Sequence, residues 1–142
     1  MAWGIILIIV LAALLVIMFW YYYNRFVVLS NRIDNSLSQI DVQLKRRADL
    51  IPNLIETVKG YAKHETAAIK AVTEARKALV GAKGIEKQIK ANQGLESALK
   101  TIFAIAENYP DLKANTNFLE LQRELATTED KVAYSRQYYN DS

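Results

Sequence analysis

The 142-residue sequence carries 18 Lys and Arg against 15 Asp and Glu, a net charge of only +3. It contains no cysteine, which excludes disulfides, thiolate catalysis, Cys-based zinc sites and Cys lipidation. A chain of this size supports one domain rather than two independent cores, and its two prolines and five glycines leave little that reads as linker.

The first element is an apolar run over residues 2–20, in which every side chain is apolar, aromatic or glycine. As a helix it is roughly 28 Å long, which matches a bilayer hydrocarbon core of about 30 Å. A helix also satisfies its own backbone hydrogen bonds, as lipid cannot. Ala2 and Trp3 stand at one end; Trp20, Tyr21, Tyr22 and Tyr23 stand at the other. Amphipathic rings favour the two water interfaces. A cleaved signal peptide would begin with basic residues and end in small ones, whereas here no Lys or Arg precedes the run and bulky aromatics follow it. The sequence therefore divides into a transmembrane helix with its aromatic belt, 1–23, and a helical domain, 24–142. The domain carries all the charged side chains.

Helical periodicity dominates that domain. Phe26, Leu29, Ile33, Leu37, Ile40 and Leu44 recur every three or four residues with no breaker before them, so one helix is expected to leave the membrane and run over about 24–48. A second, over about 50–80, carries Ile51, Leu54, Val58, Tyr61, Glu65, Ala68, Val72, Ala75 and Leu79. Asp49 reads as its N-cap, which places Pro52 in the first turn, where its missing N–H is harmless. Gly81-Ala82-Lys83-Gly84 makes a turn. The third helix, about 85–108, carries Ile85, Ile89, Leu95, Leu99, Ile102 and Ala106 and stops before Tyr109-Pro110-Asp111. Asn117 with Glu120 reads as a capping box for the fourth, about 117–141. Its stripe is Phe118, Leu121, Leu125, Thr128, Val132, Ser135 and Tyr139. Narrow apolar stripes with charged flanks and short connections specify an all-α antiparallel, up-and-down four-helix bundle. Coiled coils between chains would use the same stripes.

Topology assigns roles to the charged turns. With the first helix leaving the membrane, Lys45-Arg46-Arg47 is expected at a tip about 35 Å from Tyr23, a candidate docking site for a partner. The 81–84 turn is expected to face the membrane. Around it, Arg76, Lys77, Lys83, Lys87 and Lys90 outnumber Glu74 and Glu86, and near an anionic leaflet each base is worth about 1 kcal/mol. Arg25 and Arg32 follow the apolar run and no base precedes it, a bias that favours a short N-terminus outside and a cytoplasmic domain.

Catalytic constellations are not legible. His64 is the only histidine, and stable metal sites need several convergent ligands. No Glu-x-x-His pair of the di-iron bundle type occurs. Glu65 falls on an apolar stripe, where a register or bundle-end role is expected. The 81–84 glycines match the GxxG of a KH loop, but a KH domain needs strands and none is read here. Neither cofactor, metal, nucleic acid nor small-molecule substrate is expected. Tyr134, Tyr138 and Tyr139, with Thr128 and Ser135, form a polar aromatic seam suited to an oligomer contact.

Several longer stretches carry a family resemblance. Asn31-Arg32-Ile33-Asp34-Asn35, then Gln39-Ile40-Asp41-Val42-Gln43-Leu44-Lys45-Arg46-Arg47, then Asp49-Leu50-Ile51-Pro52-Asn53-Leu54-Ile55-Glu56, resemble the LemA family. Val72-Thr73-Glu74-Ala75-Arg76, Glu107-Asn108-Tyr109-Pro110-Asp111-Leu112 and Tyr139-Asn140-Asp141 extend the likeness. The resemblance implies a single-pass protein of the bacterial plasma membrane with an antiparallel helical domain. Members usually continue past the Tyr-Asn motif with a further Tyr-Asn and a Phe-Pro pattern, whereas this sequence stops at Ser142. The family resemblance implies non-enzymatic envelope proteins, with relatives linked to membrane proteases and to magnetosome membrane formation. The expected function is a self-associating membrane scaffold; the alternative is an adaptor of a membrane quality-control protease, docking through the Lys45-Arg46-Arg47 tip.

Overall fold

The computed structural model describes residues 2–141; Met1, Ser142 and the side chain of Ala2 lie outside the described residues. The fold is all-α. Its elements are α1 (Ala2–Tyr61), α2 (Thr66–Gly81), α3 (Ile85–Ala106), the single turn α4 (Pro110–Lys113) and α5 (Thr116–Asn140).

α1 is the organising element. Its 60 residues span about 90 Å. The first half is lined with exposed apolar side chains; burial begins at Ser36. From there Ile40, Leu44, Ala48, Ile51, Leu54 and Val58 enter the core at helical spacing. The expected division at 48–50 does not occur, and Pro52 lies inside the helix. Two features make that possible. The pyrrolidine ring is on the exposed face. The Ala48 carbonyl, which a proline nitrogen cannot reach with a hydrogen, accepts from Arg76 Nε of α2 at 2.8 Å. Asp49 is consequently an exposed helix-interior residue rather than a cap.

The chain turns instead at Ala62-Lys63-His64-Glu65, closed by Glu65 N donating to Ala62 O at 3.0 Å. Glu65 precedes α2 but makes no side-chain cap bond, because its carboxylate accepts from the Tyr109 hydroxyl at 2.8 Å. Glu65 thus sits at a bundle end. The 81–84 turn forms as the glycines predict, with Gly84 at φ 87°, a left-handed conformation that glycine adopts without steric cost. α4 was not legible as an element; Pro110 begins it and Leu112 fills the core beneath it. α5 starts earlier than the Asn117 capping box implies. Asn115 is the cap, its Oδ1 accepting from Phe118 N at 2.9 Å. Asn117 faces α1 and donates from Nδ2 to Thr57 Oγ1 at 2.9 Å.

The four long helices share one core, with α1 packed mainly on α5 and α2 mainly on α3. Cross-helix bonds fix their directions. Tyr61 with Asn115 and Arg47 with Glu129 make α1 and α5 antiparallel; Asp41 with Gln88 and Arg47 with Asn92 make α1 and α3 parallel. The predicted stripes supply the core: Val72 and Leu79 of α2, Leu95, Leu99 and Ile102 of α3, and Phe118, Leu121, Leu125 and Val132 of α5 are all buried.

Candidate functional surfaces

α1 alone among the described helices is long and apolar enough to cross a membrane. None of its apolar span is buried within the molecule, and Trp3, Trp20, Tyr21, Tyr22 and Tyr23 are all exposed. Phe19 and Tyr23 stack on one face, while Tyr21 meets Tyr22 edge-on. Beyond this belt, residues 24–35 form a stalk on which Phe26 and Val28 remain exposed.

The Lys45-Arg46-Arg47 triad is not a tip. Because α1 continues to Tyr61, the triad lies midway along the bundle, and its members have separate fates. Lys45 is exposed. Arg46 lies 3.7 Å from Glu124 on the surface. Arg47 is only 1 % exposed: its Nη1 donates to Asn92 Oδ1 at 3.1 Å and its Nη2 to Glu129 Oε2 at 3.2 Å. The far end of the bundle is built instead from the 62–65 turn and the segment around α4.

Arg47 thus centres a polar cluster joining α1, α3 and α5. Beside it Glu96 accepts from Lys100 Nζ at 2.7 Å. That hydrogen bond holds the Glu96 carboxyl below its ordinary value against the opposing effect of burial, and raises the Lys100 ammonium. A groove of about 230 Å³ runs past Arg47, Glu96, Phe103, Gln122 and Glu129. Two cations against two carboxylates make it electrically balanced. Among the described residues no group of three or more His, Asp or Glu converges as for a metal ion, and His64 is exposed. The sequence did hold a signal for this cluster. Arg47 sits three residues after Leu44 and four before Ile51, and Asn92 three before Leu95, so both occupy stripe positions.

The basic turn forms but its members are engaged differently. Arg76 is committed to the Ala48 carbonyl, and Lys77 pairs with Glu74 at 2.9 Å. Lys83, Lys87 and Lys90 are exposed. The turn opens toward the apolar end of α1, at the level of Asp41, to which Gln88 Nε2 donates at 2.8 Å. On α5, Tyr134 is 72 % exposed, Tyr138 is exposed and Tyr139 half-buried. Tyr134 and Tyr138 line a shallow groove with Asn35, Ser36 and Gln39 of α1.

These surfaces lie on a domain with known relatives. The LemA family profile matches residues 36–142, starting at the first buried side chain of α1. The chain belongs to the LemA family. It is 26 % identical over 112 residues to Protein LemA of Metamycoplasma hominis, covering 78 % of this chain and 51 % of that protein. The chain thus spans about half the length of that LemA relative. The region matched by the profile is the helical bundle; the apolar span and the stalk precede it.

Proposed function

We propose that this LemA-family chain is a non-enzymatic, membrane-anchored helical scaffold that self-associates and organises a membrane patch or envelope complex. The anchor is the apolar part of α1 in the bacterial plasma membrane, with the N-terminus outside and the bundle cytoplasmic. One observation carries the reading: a single uninterrupted helix forms both the apolar span and the spine of the bundle. An anchor built this way transmits orientation, which a flexible tether does not. Lateral surface for self-association is supplied by Phe26, Val28 and Val42 on α1 and Tyr134 on α5, all exposed; exposed apolar and aromatic groups of this kind suit protein–protein contact.

The alternative is an adaptor of a membrane quality-control protease docking through Lys45 and Arg46, which are exposed midway along the bundle, whereas Arg47 is buried. The direct lipid role of the basic turn weakens. For α1 normal to the bilayer, the level of Asp41 stands about 27 Å beyond Tyr23, well outside a Debye length of about 8 Å.

Sizing of the detergent-solubilised protein tests the scaffold. Concentration-dependent oligomers are expected. A strict monomer at every concentration would overturn it.

A further inference from the structure

In an α-helix each carbonyl accepts from the N–H four residues on. Pro52 has no N–H, so the Ala48 carbonyl lacks its helical donor. Ala48 is 4 % exposed, so its carbonyl is largely withdrawn from bulk solvent, and an unpaired buried carbonyl is costly. The replacement donor comes from another helix: Arg76 Nε of α2, at 2.8 Å. A guanidinium is a charged donor and makes a stronger bond than the amide it replaces.

Two further features bear on how firmly this bond is held. α2 packs chiefly on α3 rather than on α1, so the α2–α3 pair is held together more extensively than either is held to α1. A cavity of about 330 Å³ lies beside Arg76, bounded by Leu44, Lys45, Asp49 and Leu79. The guanidinium therefore has space to leave the carbonyl without displacing packed atoms.

We propose that residues 48–52 are a releasable joint in α1, closed by Arg76. Docking of the α2–α3 hairpin then controls whether the membrane-side and distal halves of α1 behave as one rod. A partner that draws the hairpin or the Arg76 side chain away opens the joint. The device is independent of whether copies of the chain associate.

Hydrogen exchange by mass spectrometry on the full chain in lipid nanodiscs tests it, comparing wild type, R76A, P52A and P52A/R76A. R76A is expected to speed exchange of the amides in residues 49–56 by about tenfold or more, the loss of a hydrogen bond to a charged group, while residues 121–132 of α5 keep their wild-type rates. In P52A/R76A the restored N–H at position 52 returns exchange in 49–56 to the P52A value. Unchanged exchange in R76A overturns the proposal. So does equal acceleration across α5, which marks a general loss of stability, or acceleration that persists in P52A/R76A.

Discussion

Arg47 shows how a buried charge can specify an arrangement without adding much to stability. Its guanidinium satisfies Asn92 and Glu129 on two other helices, so it fixes the register of α1 against α3 and α5 together. Truncating Arg47 leaves a cavity and unpairs the buried Asn92, a loss of about 2–4 kcal/mol, while replacing an ion pair of this kind with apolar groups of similar volume is often neutral or stabilising. Arg47→Ala should therefore lower the urea midpoint sharply. Arg47→Met with Glu129→Leu should recover most of the loss, and the two midpoints measured by circular dichroism decide the matter. Beside it, Glu96 has a carboxyl held low by Lys100. A depressed folded-state value means the pair stabilises the fold above the ordinary carboxylate range. That contribution disappears as pH falls through the lower, folded value. On the alkaline side the raised Lys100 ammonium stabilises below the ordinary lysine range and loses its effect as pH climbs through its folded value. Melting temperature should thus fall on acidification, and Glu96→Gln should flatten the acid limb of the profile. An unchanged acid limb in that variant would assign acid sensitivity to other carboxylates.

At the scale of elements, the ends of helices depend on which side chains are free to cap. Asn115 caps α5 through Phe118 N, and its Nδ2 also donates to the Tyr61 hydroxyl at 3.0 Å. Asn115→Ala should cost about 1 kcal/mol from the cap alone, read as a lower urea midpoint, with Asp at this position retaining the cap. Gly84 offers a cleaner test. A Cβ there meets no atom within 4 Å, yet φ is +87°; with ψ at 150° the backbone lies in a region essentially confined to glycine, so Gly84→Ala and Gly84→Asn should both destabilise by about 1–3 kcal/mol through backbone strain alone. These cases also show what local sequence reveals. The apolar stripes, the 81–84 turn and the all-α class follow from spacing and glycine chemistry. The continuity of α1 does not, because the donor that rescues Pro52 comes from Arg76, distant in sequence. Likewise Asn115 and Asn117 are both good caps by residue type. Only the approach of Thr57 and Tyr61 decides which one caps and which one bridges. Arg47 was legible by position but masked by its basic neighbours.

For the whole molecule, the distribution of burial separates two parts that one helix joins. No residue before Ser36 among those described is buried, whereas Ile40 through Val132 build a continuous core. The energetic contribution of residues 2–35 to the bundle should then be small, although they determine where the bundle sits. A chain beginning at residue 36 should remain helical and melt cooperatively, within a few degrees of the full chain in detergent, and should fail to sediment with membranes. A large drop in melting temperature would mean that the stalk contributes packing through contacts between copies, since within one copy Phe26 and Val28 touch no core. That outcome would itself be concentration-dependent in the full chain, because association that requires the folded state raises apparent stability with protein concentration. Melting the two chains across a dilution series therefore separates a bundle that is self-sufficient from one completed by its neighbours. The scaffold reading expects the bundle to stand alone and the stalk to add association.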